Sequence, residues 1–97
     1  MTTVHIEHAI HDFTTWKAAF DRDPADRRGS GVRRYSIQQP MDDANYVVID
    51  LDFATGAEAE AFLATMQRVW ASPQAAPALA GAPSVRLMEV VERRELA

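Results

Sequence analysis

A chain of 97 residues with 47% hydrophobic and 25% charged side chains has the make-up of one ordinary soluble domain, which excludes a fibrous repeat and extended disorder. Fourteen acids against ten bases give a net charge of −4, which repels phosphate backbones and anionic lipid surfaces and argues against nucleic-acid and membrane partners. The absence of cysteine excludes disulfides, thiolate nucleophiles, iron–sulfur clusters and cysteine-based zinc sites.

No charged, apolar and then small-residue leader opens the chain, and no apolar run approaches the ~18 residues of a membrane span, so a cytoplasmic location is expected. Residues 3–10, TVHIEHAI, put Val4, Ile6, His8 and Ile10 on one parity and His5 and Glu7 on the other, the period of a strand. The period then changes. Asp12 suits an N-cap, and Phe13, Trp16, Ala19 and Phe20 recur on one face of a first helix. The segment DPADRRG adds an Asp-Pro start, cations at Arg27 and Arg28 and a stop at Gly29, which predicts a short helical extension.

Residues 31–39, GVRRYSIQQ, read as a second strand, and PMDDAN supplies turn residues for a hairpin. The returning arm, YVVIDLDF at 46–53, carries Val47, Ile49, Leu51 and Phe53 as an unbroken apolar row. Thr55 with Glu58 forms a capping box, and Ala59, Phe62, Leu63, Met66, Val69 and Trp70 follow at steps of three and four, predicting a second helix. Pro73, Pro77, Gly81 and Pro83 forbid a long helix in the next stretch, which reads as a crossover with room for one turn. SVRLMEVVERREL closes the chain as a fourth strand with a charged tail.

The order strand, helix, strand, strand, helix, strand is the split βαβ pattern of an α+β, ferredoxin-like domain spanning 1–97. Right-handed crossovers place the first and third strands at the centre of a four-stranded antiparallel sheet with both helices on one face. The row Val47, Ile49, Leu51 and Phe53 must then meet the helices. Tyr46, Val48, Asp50 and Asp52, with His5 and Glu7 alongside, face the other way, towards water or towards a second sheet.

With that architecture, the stretches HAIHDFTTWKAAFD, GVRRY and DDANYVVIDLDF resemble the dimeric α+β barrel superfamily, to which antibiotic-biosynthesis-monooxygenase-like and EthD-like proteins belong, and in particular its uncharacterised bacterial members. The resemblance implies two ferredoxin-like sheets packed face to face across a two-fold axis, with small organic ligands between sheet and helices or inside the barrel. Cofactor-free oxygenases, isomerases and haem-degrading enzymes all occur there, beside proteins without known activity, so fold does not settle function. The haem-degrading members take their iron-binding histidine from the second helix. Residues 55–71 hold none.

His8, on the helix-facing parity, has two readings: a buried histidine satisfied by a hydrogen bond, or a catalytic general base at a pocket mouth. Trp16, Phe20, Phe62, Met66 and Trp70 either pack the core or line a ligand pocket, with Tyr35, Tyr46 and His8 as its polar handles. Asp50, Asp52 and Glu7 are matched by Arg33, Arg34 or Arg86, or else form paired carboxylates with separated pKa values; Asp50 also serves as a candidate ligand contact on the polar sheet face. His5, Glu7 and His11 share a strand parity, but His11 lies at the helix entry and no metal site is assigned. The expected activity is that of a cofactor-independent monooxygenase-like or cyclase/isomerase-like enzyme acting on a small aromatic or polyketide-like molecule. The alternative is a non-catalytic ligand-binding or dimeric interaction protein of the same fold. In either case Val48, Met88 and Val90 on the open sheet face point to a homodimer.

Overall fold

The computed structural model describes all 97 residues. Seven elements follow one another: β1 (Thr2–Ala9), α1 (Phe13–Asp21), β2 (Arg34–Gln38), β3 (Tyr46–Phe53), α2 (Gly56–Trp70), a 3₁₀ turn (Ala76–Ala78) and β4 (Ser84–Glu89). The strands form one antiparallel sheet in the order β2-β3-β1-β4, so the two strands with the clearest alternation are central. The register sets Val4 opposite Leu51, Ile6 opposite Ile49 and His8 opposite Val47. Over these pairs one face of the sheet is therefore apolar except for His8.

That face meets both helices. Val4, Val47 and Phe53 are completely buried, and Trp16 of α1 and Phe62 and Ala59 of α2 join them in one core cluster. Burying a side chain the size of Phe62 stabilises the fold by roughly 1.5–3 kcal/mol, so the sheet holds α2 chiefly through this stripe. The helix starts are set by their caps. Asp12 accepts the Thr15 amide at 2.7 Å, and Thr55 Oγ1 accepts the Glu58 amide at 3.2 Å.

The expected helical extension in DPADRRG does not form: residues 24–31 are a run of turns. Asp23 and Asp26 adopt left-handed backbone angles, φ 54° and 50°, and each spends its carboxylate on a downstream amide, Arg27 at 2.9 Å and Gly29 at 3.2 Å. Such local bonds compete with the helical ladder, and here they win. The second strand is also shorter than 31–39, because Gly31 is left-handed at φ 100° and the Val32 amide turns back to Arg27. Beyond β4 the chain continues along the first strand for one more bond, Val90 N–H to Met1 O at 3.0 Å.

Candidate functional site

Between the apolar face and the helices lies a partly open cavity of ≈ 560 Å³, with 14 hydrophobic residues among the 23 that line it. A space of that size accommodates a small organic molecule. Ile6, Ile49 and Leu51 form its floor, α1 contributes Trp16 and Phe20, and α2 contributes Phe62, Met66 and Trp70. The 3₁₀ turn closes one end with Ala78 and Leu79.

His8 is the polar group of this floor. Strand alternation aims it at the helices, where it is 4% exposed and its ring lies 6.3 Å from that of Trp16. Its Nδ1 is 2.9 Å from the Ala9 carbonyl, which can only accept, so Nδ1 carries the proton and Nε2 is the bare nitrogen. Nε2 has no protein partner. No side-chain nitrogen or oxygen is both sealed in and unpaired, so Nε2 keeps some accessible surface, and His8 is among the residues that line the cavity. Burial lowers the His8 pKa, with the Ala9 bond acting weakly the other way, so the imidazole is neutral at pH 7. The hydrogen bond at Nδ1 fits a buried histidine satisfied within the fold, while Nε2 is left without a partner.

The candidate residues separate into two groups. Trp16, Phe20, Phe62, Met66 and Trp70 share the cavity with His8. Tyr35 stands just outside it, at the edge strand, with its ring 5.1 Å edge-on from Phe20. Tyr46 and Asp50 do not serve this pocket: their even parity in β3 sets them on the opposite face of the sheet, which corrects the expectation of Tyr46 as a polar handle.

On that face a continuous chain of hydrogen bonds runs across three residues of the two central strands and ends on a fourth. The Tyr46 hydroxyl donates to Glu7 at 2.8 Å, Glu7 meets His5 Nε2 at 2.7 Å, and His5 Nδ1 meets Asp50 at 2.7 Å. Carboxylates at both ring nitrogens favour the form of His5 that carries a proton on each. The Glu7 bond, with Asp50 adding to it and desolvation opposing, raises the His5 pKa; the same bond lowers that of Glu7. Asp52, 8% exposed, accepts from Thr3 at 2.6 Å, Arg34 at 2.7 Å and Arg93 at 3.3 Å. Desolvation raises its pKa, and the Thr3 and Arg34 bonds outweigh that, so it stays ionised. Arg34 is one of the three arginines expected to match these acids. Arg33 and Arg86 make no such bond, and the histidine His5 takes their place at Asp50.

Sequence reasoning missed Arg22, Arg27 and Arg68, all of which line the cavity. In the sequence Arg27 reads as a helix-terminal cation, and only the left-handed turns at Asp23 and Asp26 bring it back over Phe20. Arg68 occupies the last turn of α2, where a cation needs no ligand to explain it. No three histidine or acidic side chains converge as a metal site. No helix is long and apolar enough to cross a membrane.

No protein-family description and no curated sequence matches the chain. Solved structures do. A dimeric ferredoxin-like protein from an uncultured marine organism superposes with a TM-score of 0.70 at 12% identity, covering 96% of this chain and 97% of that one. SnoaB, a cofactor-independent oxygenase from Streptomyces nogalater, gives 0.62 at 18% identity over 98% and 95% of the two chains. An antibiotic biosynthesis monooxygenase gives 0.63 at 17% identity over 95% and 100%. The chain thus shares the ferredoxin-like fold of these proteins over nearly its whole length.

Proposed function

We propose that the protein is a homodimeric, cytoplasmic, cofactor-independent enzyme that removes a proton from a small aromatic or polyketide-like molecule held between its sheet and helices. The observation that carries this reading is the unpartnered Nε2 of a neutral, buried histidine in an apolar cavity. There His8 acts as general base: Nε2 takes a proton from an acidic C–H or phenolic O–H of the substrate, leaving an enolate or phenolate. Burial disfavours the resulting imidazolium, so the proton is readily returned, as an isomerisation or cyclisation requires. The same electron-rich anion is the form of an aromatic substrate that reacts with dioxygen in a monooxygenase. Trp16, Phe20, Phe62, Met66 and Trp70 orient the ring system and exclude water.

The test is turnover and binding with His8→Gln, which keeps the size of the side chain but supplies no base. Loss of about 10²–10⁴-fold in rate with ligand affinity kept within a few-fold supports the base. Equal turnover would remove it. If no aromatic ligand raises the melting temperature of the wild type or the variant, the pocket reading itself fails.

A further inference from the structure

The cavity carries charge as well as apolar surface. Arg22, Arg27 and Arg68 line it against a single carboxylate, Asp23, in a chain whose net charge is −4. Arg27 is the most enclosed of the three, with its side chain 16% exposed. Its guanidinium lies 3.9 Å over the Phe20 ring, Nη1 donates to the Phe20 carbonyl at 2.8 Å, and Asp23 stands 3.4 Å away. Nε and Nη2 make no hydrogen bond within the chain, and since no buried donor is left without a partner, both remain accessible. Arg22 makes no side-chain bond, and Arg68 reaches only the Thr65 hydroxyl at 3.3 Å. A guanidinium offers five donors in a planar fork that matches a carboxylate. Most of those in this cavity are uncommitted.

The cation and the base are joined by a wall of rings. His8 contacts Trp16 at 6.3 Å, Trp16 stacks on Phe20 at 5.1 Å, and Phe20 carries Arg27 at 3.9 Å. An acceptor-only nitrogen thus ends one side of the aromatic wall and a donor-only group ends the other. From this arrangement we infer that the cavity's ligand is an amphipathic organic anion: a flat apolar body lying along Trp16 and Phe20, with a carboxylate at its far end held by Arg27. The inference rests on the cavity reading above and adds to it the charge and polarity of the substrate. Asp23 is the competitor, holding Arg27 when the anion is absent.

The probes are 2-naphthoate and its uncharged isostere 2-naphthamide, titrated by calorimetry at low salt against the full chain. Wild type is expected to bind the carboxylate about tenfold or more tightly than the amide, the factor that a charge-assisted hydrogen bond supplies. Arg27→Gln is expected to erase that preference while the amide still binds. Asp23→Asn is the decisive variant, because Asn tolerates a left-handed backbone and its carbonyl still accepts the Arg27 amide, while the competing charge is gone. It should tighten the carboxylate severalfold and leave the amide unchanged, which no misfolded protein would do. Equal binding of the two probes by wild type overturns the anion inference and leaves the cavity reading standing. A preference that survives Arg27→Gln and ignores Asp23→Asn overturns Arg27 as the anchor. If neither probe binds at millimolar concentration, the inference falls together with the cavity reading.

Discussion

His5 and His8 lie three residues apart on one strand, and their environments push them in opposite directions. His5, between Glu7 and Asp50 and opposite Arg86 in the register, has a raised pKa, and its contribution to stability is whole below the ordinary value of 6.5. That contribution is lost as pH rises through the higher native value, because the folded state then gives up a proton that the unfolded state has already released. His8, lowered by burial, acts on the other limb: its contribution is present above 6.5 and lost as pH falls towards its native value. Thermal melts should therefore show stability declining on both sides of the ordinary histidine range. His5→Gln should flatten the alkaline side alone, and a melting temperature that still falls there in the variant would assign the slope to other groups. At the acid end, Asp52 contributes stability above 3.8 that disappears as pH drops through its lowered pKa. Which histidine faced which way followed from parity in the sequence. That His5 bridges two acids did not, because cross-strand partners depend on register, and register is a tertiary property.

Among the elements, α2 is governed by features that a sequence displays directly: a threonine cap, an acid three residues on, and an apolar stripe. Thr55→Ala should cost about 1 kcal/mol in chemical denaturation, with an unchanged m-value, since the Glu58 amide loses its acceptor and the Glu58 carboxylate its hydroxyl donor. Phe62→Ala should cost roughly 3–5 kcal/mol, because Phe62 is 3% exposed and packs 5.3 Å from the Phe53 ring. A Phe62→Ala loss below that of Thr55→Ala would mean that α2 is not held by its stripe. The segment after α1 is the contrary case. Its composition, with an Asp-Pro and two arginines before a glycine, suits a helix terminus, yet two aspartates bonding forward to amides turn it into loops. Propensity describes the average of such segments, whereas the outcome here depends on two side chains choosing their own neighbours. That choice is also what delivers Arg27 to the cavity, so the part of the site that composition concealed lies where the fold departs from its local signal. The aromatic part, carried on regular helices, was legible from spacing.

At the scale of the whole molecule the proposed homodimer turns on the open sheet face. It presents Val48 and the half-exposed Met88 among charged groups that are largely paired already: Asp52 with Arg34 and Arg93, and His5 with Glu7 and Asp50. Pairing within the chain lowers the cost of removing those charges from water, so the apolar side chains between them can be covered by a second copy, with Arg86, opposite His5 and unpaired within the chain, left for that copy to meet. Light scattering after size exclusion is therefore expected to give twice the chain mass at micromolar concentration. Met88→Glu, which sets a new acid near Thr3 on that face, should shift the protein to monomer. Wild-type monomer at that concentration would overturn the dimer. A Met88→Glu protein that stays dimeric would locate the interface elsewhere, and the hydrogen-bonded chain from Tyr46 to Asp50 would then face water, with no enclosure to make its charges matter.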